Sequence, residues 1–212
     1  MIAVVTPHHD PKRKPFLDRL RFYMSRQTVK PDLWLIIDEP TTIKPDLTYR
    51  VRIGCQRAIE AGATCILIME DDDWYDPKYI EYMVNSWKQV GKPKIFGIGY
   101  TLYCHVFAQK QWFSPHQGRA SLMSTLITPA ALDGFKWCDD TEIWLDMHLW
   151  KNIKGKTVEP SKLYSVGIKH GIGLCGGVGH NRSFSRYTPD PNHAELRKHI
   201  KDDLQWYKTL QH

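Results

Sequence analysis

The sequence lacks long apolar runs and paired cysteine motifs. Its five cysteines are odd in number and contain no CxxC pair, which argues against a zinc knuckle or a disulfide framework. No apolar run approaches the roughly 20 residues of a membrane-spanning helix. The first short run, IAVV, gives way at once to TPHHDPKRKP, so we expect neither a signal peptide nor membrane insertion. These absences predict a cytoplasmic protein with reduced, mostly buried thiols.

The composition is that of an ordinary globular chain. Its 212 residues are 42% hydrophobic and 25% charged, which suits one domain with a full core. The net charge is +6, and basic residues cluster in PKRKP, at Lys151, Lys154 and Lys156, and at Arg182 and Arg186. This distribution allows a polyanionic partner, although composition alone slightly favours a solvated basic surface without a partner.

Four consecutive acids follow a short apolar run in ILIMEDDDWYDPKYIEYM. Ile66 to Met69 is typical of a buried strand, and Asp76-Pro77 opens an amphipathic helix. Glu70, Asp71, Asp72 and Asp73 therefore lie where a strand has ended and a helix has not begun. Such a concentration of negative charge requires a cation or a proton, and hard divalent ions prefer carboxylate oxygens. An acidic helix N-terminus is the alternative, but it accounts poorly for four acids before the first turn.

Strand and helix patterns alternate through the first half of the chain. IAVVT, LWLIID and CILIM predict strands separated by helices, which is the beginning of a doubly wound parallel sheet. Beyond Lys94 the segments KIFGIGYTLYCHVFA and ASLMSTLIT predict further strands in a mixed sheet. Helical spacing then runs from Asp139 to Ile153 and from Leu196 to Tyr207. Ligands of such folds gather at the carboxyl ends of the strands.

Three segments together resemble the family 2 type of GT-A fold glycosyltransferases. They are IAVVTPHHDPKRKPFLDRLRFYMSRQTVKPDLWLIIDE, GCQRAIEAGATCILIMEDDDWYDPKYIE and FKWCDDTEIWLDMHLW, in the order that the family has them. The resemblance implies one GT-A (Rossmann-like) α/β domain with a mixed, mostly parallel sheet flanked by helices. Residues 1–93 would bind the nucleotide-sugar, and residues 94–212, with a C-terminal helix, would bind the acceptor.

The resemblance also implies the donor and metal residues. Thr6, Pro7 and Asp38 would hold the nucleoside of a UDP-sugar, although Asp38 also fits a strand-end acid that caps a helix. The acid run matches the family's DxD motif, with Glu70 and Asp72 at its acidic positions. Asp71 would then contact the donor, and Asp72 and Asp73 would bind Mn²⁺ or Mg²⁺, which stabilises the departing diphosphate.

Transfer to a hydroxyl needs a base, because the acceptor must lose its proton during attack. The family's acidic-pair motif corresponds to CDDTE and implies Asp140 as that base. If Asp140 begins the helix, it shares an inward face with Ile143 and Met147. In-line attack opposite the departing nucleotide would invert the anomeric carbon. The alternative, which the resemblance makes the second choice, is that Asp139 and Asp140 simply cap a helix.

The segment VGIKHGIGLCGGVGHNRSFSRY is too rich in glycine for a core element and indicates a functional loop. His180 is a candidate contact to the metal or the diphosphate, with His170, Arg182 and Arg186 as weaker candidates. A histidine in a loop is often only a hydrogen-bonding anchor, and that interpretation stays open.

The acceptor is the least defined partner. Small transferases with a basic surface resemble those that bacteriophages encode to glycosylate modified bases in their DNA, which would place the enzyme in the host cytoplasm. The basic clusters therefore favour DNA that carries a hydroxymethylated pyrimidine. A cell-surface saccharide or lipid acceptor and a non-catalytic nucleotide-sugar-binding module are the two alternatives.

Overall fold

The computed structural model describes residues 1–8, 10–171 and 184–210. Within them the strands are β1 Ile2–Pro7, β2 Leu33–Ile37, β3 Cys65–Ile68, β4 Trp74–Tyr75, β5 Ile95–Ile98, β6 Tyr100–His105, β7 Lys110–Pro115, β8 Thr125–Ile127, β9 Lys156–Val158, β10 Ser165–Lys169 and β11 Thr188–Pro189. The helices are α1 Lys14–Arg26, α2 Leu47–Glu60, α3 Tyr79–Gln89, α4 Pro129–Leu132, α5 Leu145–Asn152, α6 Ala194–Ile200 and α7 Asp203–Lys208. Short 3-10 turns cover Pro11–Arg13, Leu122–Ser124, Phe184–Arg186 and Pro191–His193.

The main sheet has six strands in the order β2-β1-β3-β8-β5-β9. β1 pairs in parallel with β2 and β3, and β9 pairs in parallel with β5, whereas β8 runs antiparallel to β3 and β5. This is the mixed, mostly parallel sheet that the sequence predicts. All four residues of β3 are buried, as expected for a central strand with both faces covered.

The two faces of the main sheet pack into two separate cores, because strand side chains alternate in direction. Val4 and Leu67 face a core that also contains residues of α1, α3 and the two C-terminal helices. Val5 and Ile68 face a second core, against α2 and α5. Helix α2 lies so close to β1 that a Cβ at Gly54 would come within 2.3 Å of Val5 Cγ1.

A second sheet of five strands has the order β11-β7-β6-β10-β4. Most of its pairings are antiparallel, and β6 and β7 form a hairpin over six residue pairs. The chain passes from β3 in the first sheet to β4 in the second through Glu70, Asp71, Asp72 and Asp73. The acidic run is thus the junction between the two sheets.

Two helices differ from their sequence predictions. The helical stripe that begins at Asp139 becomes regular helix only at Leu145, since Asp139 Oδ1 accepts the amide of Thr141 at 2.8 Å and holds the preceding residues in turns. The C-terminal helix is divided into α6 and α7 because Lys201, between them, has a φ of 50°. The predicted strand ASLMSTLIT retains three strand residues, after a 3-10 turn.

No helix in the described part of the chain has both the length and the apolar character that a membrane span requires.

Candidate active site

A cleft of about 380 Å³ opens beside the junction of the two sheets. Its walls come from the ends of β1 and β3, the start of α2, the β6–β7 hairpin, the start of α5 and the end of β10. The charged residues that line it are Arg13, Asp46, Arg50, Glu70, Asp71, Asp72, Asp73, Arg119, Asp146, Lys169 and Arg186. Both signs of charge are therefore concentrated in one concave site of the size that small-molecule ligands require.

Asp71 and Asp72 are paired with basic side chains of this chain. His8 Nδ1 lies 2.6 Å from Asp71 Oδ2, and Arg13 Nη2 donates to Asp71 Oδ1 and lies 2.7 Å from Asp72 Oδ1. The other oxygen of Asp72 is 2.9 Å from His170 Nε2. Burial opposes ionisation of Asp72, but Arg13, His170 and Lys169 outweigh it and hold its pKa well below its usual range.

Asp73 and Glu70 have the opposite shift. Asp73 Oδ1 accepts the backbone amide of Ile168 at 2.9 Å, and burial together with the charge of Asp72 raises its pKa. The same two causes raise the pKa of Glu70 to about 7. Buried Lys169 keeps its charge, since Asp73 and Asp72 outweigh its desolvation and raise its pKa above the ordinary value. Burial and the charge of Asp72 thus disfavour the ionised forms of Glu70 and Asp73.

Two carboxylates of this cluster are suited to bind one divalent ion. Glu70 and Asp72 line the cleft and supply carboxylate oxygens. Burial and then the charge of Asp72 raise the pKa of Glu70, and a bound cation would favour its ionised form. Magnesium is commonly held by one or two carboxylates, with substrate phosphates and water completing the shell. No group of three or more metal-ligating side chains is found within the described ranges. A metal ion here would thus depend on the substrate for its remaining ligands.

At the other end of the cleft, the structure separates the residues that were expected to hold the nucleoside. Pro7 lines the cleft, but Thr6 is fully buried and accepts a hydrogen bond from Trp34 Nε1 at 3.0 Å. Asp38 is exposed and does not line the cleft. Asp46 and Arg50 stand there instead.

Arg50 and Asp46 form a buried pair at this end. Arg50 Nε lies 2.8 Å from Asp46 Oδ2, and its Nη1 donates to the carbonyl of Ile37 at 2.9 Å. The i,i+4 spacing of an acid and an arginine was the available sequence signal, but it is common on ordinary helices.

Asp140 lies away from the cleft lining. Its carboxylate accepts two hydrogen bonds from Arg52, at 2.9 and 2.7 Å, and is about one-third exposed. The carboxylate that does line the cleft from this segment is Asp146, in the first turn of α5. Arg119 Nη1 donates to Asp146 Oδ2 at 2.6 Å, yet burial outweighs this contact and raises the pKa of Asp146. A carboxylate with a raised pKa in a cleft has the character of a general base.

The glycine-rich loop contributes through its flanks. His170 is fully buried beside Asp72, and the Arg186 guanidinium lies 5.4 Å from the centre of the Trp112 ring in the cleft wall. His180 and Arg182 fall outside the described residues, so their assigned contacts remain predictions.

Several cleft residues carry no sequence motif. Arg13 is one of several adjacent cations in PKRKP, and Lys169 and Arg119 stand alone in the sequence. Only the packing of β1, β10 and α5 around the acidic junction brings these positions together.

Neither a family model nor a curated protein matches the sequence. Solved structures do match the fold. S. aureus TarS superposes with a TM-score of 0.52 at 11% identity, over 79% of this chain and 36% of that one. The TarS 1-349 complex with UDP superposes with a TM-score of 0.52 at 11% identity, over 79% of this chain and 60% of that one. The complex of the same fragment with UDP-GlcNAc superposes with a TM-score of 0.50 at 11% identity, over 79% of this chain and 58% of that one.

These likenesses show the GT-A-like fold that the resemblance of the sequence segments implies. The chain spans 36% of the full TarS chain and about 60% of its 1-349 fragment. At 11% identity these superpositions show the fold alone.

Proposed function

We propose that this chain is a glycosyltransferase that moves a sugar from a UDP-sugar to an acceptor hydroxyl. The observation that carries the proposal is the cleft at the sheet junction, where Glu70 and Asp72, the cations Arg13 and Lys169, and the carboxylate Asp146 line one cavity. Bound UDP and UDP-GlcNAc in TarS complexes of the same fold support a nucleotide-sugar donor. The cations would bind the diphosphate of the donor, and the carboxylate Asp146 would accept the proton of the acceptor.

Donor binding requires positive charge next to the acidic junction. Arg13 Nε is buried and has no hydrogen-bond partner among the described residues, so it can donate to a phosphate oxygen. Buried Lys169 supplies a second cation beside the acids. Glu70 and Asp72 would hold the divalent ion, and Asp73 lines the same cleft. When bound, that ion would neutralise charge on the departing diphosphate.

The transfer step forms a bond between the acceptor oxygen and the anomeric carbon and breaks the bond between that carbon and the phosphate oxygen. UDP leaves with the bonding electron pair, and the acceptor proton passes to a carboxylate. We assign that carboxylate to Asp146, because it lines the cleft and its pKa is raised. Asp140 is the alternative from sequence, and attack opposite the leaving group would invert the sugar.

A hydroxymethylated pyrimidine in DNA is the acceptor that we propose. The net charge of +6 and the cleft cations Arg119 and Arg186 favour an anionic acceptor. A saccharide or lipid acceptor retains the same chemistry, and a non-catalytic binding module retains only donor binding.

Paired variants separate these possibilities. We expect Asp146→Asn to lower transfer by at least about a hundredfold with UDP-sugar binding retained, and Asp140→Asn to lower it by less than threefold. The assay incubates the protein with Mn²⁺, UDP-sugars and DNA that contains or lacks hydroxymethylated pyrimidine, and measures nucleoside mass and UDP release.

A hexose-sized mass gain on the modified base supports the DNA acceptor. UDP release without that gain moves the search to saccharides and lipids. Donor binding without any turnover in the unaltered protein would leave only the binding module, and a large loss in Asp140→Asn alone would restore Asp140 as the base.

A further inference from the structure

We propose that the exposed side chains of Trp144 and Met147 form an acceptor platform, on which the planar ring of a nucleobase in a single phosphodiester strand lies. The inference rests on the proposed glycosyl transfer and specifies the acceptor class of that site. It assigns the recognition of the acceptor to two residues that no motif marks.

The platform lies where the cleft meets a second cavity. Trp144 and Met147 line both the cleft and an adjoining groove of about 510 Å³. They are three residues apart across the first turn of α5, so their side chains share one side of the helix start. Asp146, the proposed base, lies between them in the sequence and lines the same cleft. A nucleobase on the platform would therefore lie in the same cleft as the group that would accept the proton of its hydroxymethyl group.

Both side chains are exposed to a degree that core packing does not explain. Trp144 is 53% exposed and Met147 is 52% exposed, and large apolar side chains that are adjacent and exposed commonly mark a binding surface. The backbone of Trp144 is nevertheless held firmly. Glu142 Oε1 accepts the amides of Ile143 and Trp144, each at 2.8 Å, and the Trp144 carbonyl accepts the amide of His148 at 3.2 Å. The backbone that carries the indole is thus held in place, which lowers the entropy cost of ordering this segment on binding.

The charges around the platform suit an anionic strand. Arg119 and Lys151 line the adjoining groove, and Lys151 is exposed. The acid in that groove, Glu142, has one carboxylate oxygen engaged by backbone amides. An aromatic face beside cations is the usual arrangement for single-stranded nucleic acid, in which bases stack and phosphates pair with lysine and arginine. A neutral saccharide would use the aromatic face but not the cations.

The test is direct binding of a labelled single-stranded oligonucleotide that contains hydroxymethylated pyrimidine, followed by fluorescence anisotropy. Replacing the indole in Trp144→Ala should weaken oligonucleotide binding about tenfold, and Trp144→Phe should retain most of it, because a smaller ring still stacks. Phe22→Ala is the matched control, since Phe22 is 42% exposed on α1 and does not line the cleft. It should bind the oligonucleotide as the unaltered protein does. UDP binding should be unchanged in all three variants.

Each result has a distinct meaning. Oligonucleotide binding in Trp144→Ala within twofold of the unaltered protein overturns the platform. So does an unaltered protein that binds no oligonucleotide but transfers sugar to a saccharide, and this outcome leaves the glycosyltransferase proposal intact. Binding that depends on Trp144 without any release of UDP from UDP-sugars supports the platform and removes the proposed function.

Discussion

Arg13 and Lys169 offset part of the negative charge of the four consecutive acids. From sequence, that run requires a cation or a proton, because four carboxylates in a row repel one another. In the folded chain Arg13 contacts both Asp71 and Asp72, and Lys169 is close enough for its charge to be stabilised by Asp73. The cluster is therefore partly neutralised before any ligand binds. Glu70 still has a raised pKa, because its burial and the charge of Asp72 outweigh the nearby cations, and the first prediction concerns this residue.

Glu70→Gln should stabilise the fold at high pH. The pKa of Glu70 is raised from 4.5 to about 7, so the unfolded chain loses this proton at a lower pH than the folded chain does. Stability therefore falls as the pH rises from 4.5 to 7, and the penalty is complete at pH 8. A neutral glutamine removes it. We expect the free energy of unfolding to rise at pH 8 by up to about 3 kcal/mol, with little change near pH 4.5.

Urea unfolding at pH 5 and pH 8 measures this difference. The exposed Glu60→Gln on α2 serves as the control and should match the unaltered protein at both pH values. If Glu70→Gln is no more stable than the unaltered protein at pH 8, the ionised Glu70 side chain does not destabilise the fold. Donor binding in the presence of Mn²⁺ should weaken in the same variant, since it removes a proposed ligand.

Helix α5 shows how a local turn decides the position of a functional group. The apolar spacing from Ile143 to Ile153 is helical, but Asp139 and Glu142 use their carboxylates to hold backbone amides before the helix can begin. This competition is a property of short acidic side chains near backbone donors. Because regular helix starts at Leu145, Asp146 reaches the cleft and Asp140 turns to Arg52.

Strand β5 packs closely against residues 120–124 at Gly97 but not at the following Gly99. A Cβ at Gly97 would lie 2.4 Å from Ala120 Cβ and 2.6 Å from the carbonyl of Ser124, so the added methyl forces the backbone apart. At Gly99 the nearest atom, Thr157 Cβ, is at 3.4 Å, which is ordinary contact. Gly97→Ala should lower the free energy of unfolding by about 1–3 kcal/mol. Gly99→Ala should change it by less than about 1 kcal/mol.

Thermal or urea unfolding of the two alanine variants checks this prediction. The comparison controls for the intrinsic effect of replacing glycine, because both positions have ordinary φ values. Equal losses in the two variants would mean that β5 and the segment before β8 can move apart at little cost.

The whole molecule carries a net charge of +6, and its effect on acceptor binding can be measured. If a DNA strand crosses the cleft, each phosphate that pairs with lysine or arginine releases counterions. The logarithm of the binding constant should then fall linearly with the logarithm of salt, at about 0.7 for each phosphate contact with a single strand. We expect a slope between about −2 and −4 in a titration from 50 to 200 mM salt. A slope near zero would favour an uncharged saccharide acceptor.

Much of the architecture could be predicted because it depends on local patterns. The run CILIM is apolar throughout and became the central strand β3, and alternation in IAVVT placed Val4 and Val5 on opposite faces. The position of Glu70 to Asp73 at a strand end also followed from sequence. Asp46, Arg50 and Arg119 could not be predicted as cleft residues, since their role arises from neighbours that are distant in the chain.

The sequence by itself determined the order of strands and helices and the position of the acidic run at a strand end, because hydrophobic periodicity and residue type act over short distances. The GT-A-like fold followed from the resemblance of three segments to a known family. Tertiary structure alone decided which cation meets which acid and which aspartate reaches the cleft. Electrostatic energies depend on distance in space and on burial, and both quantities exist only after β3, β10 and α5 have packed around one junction.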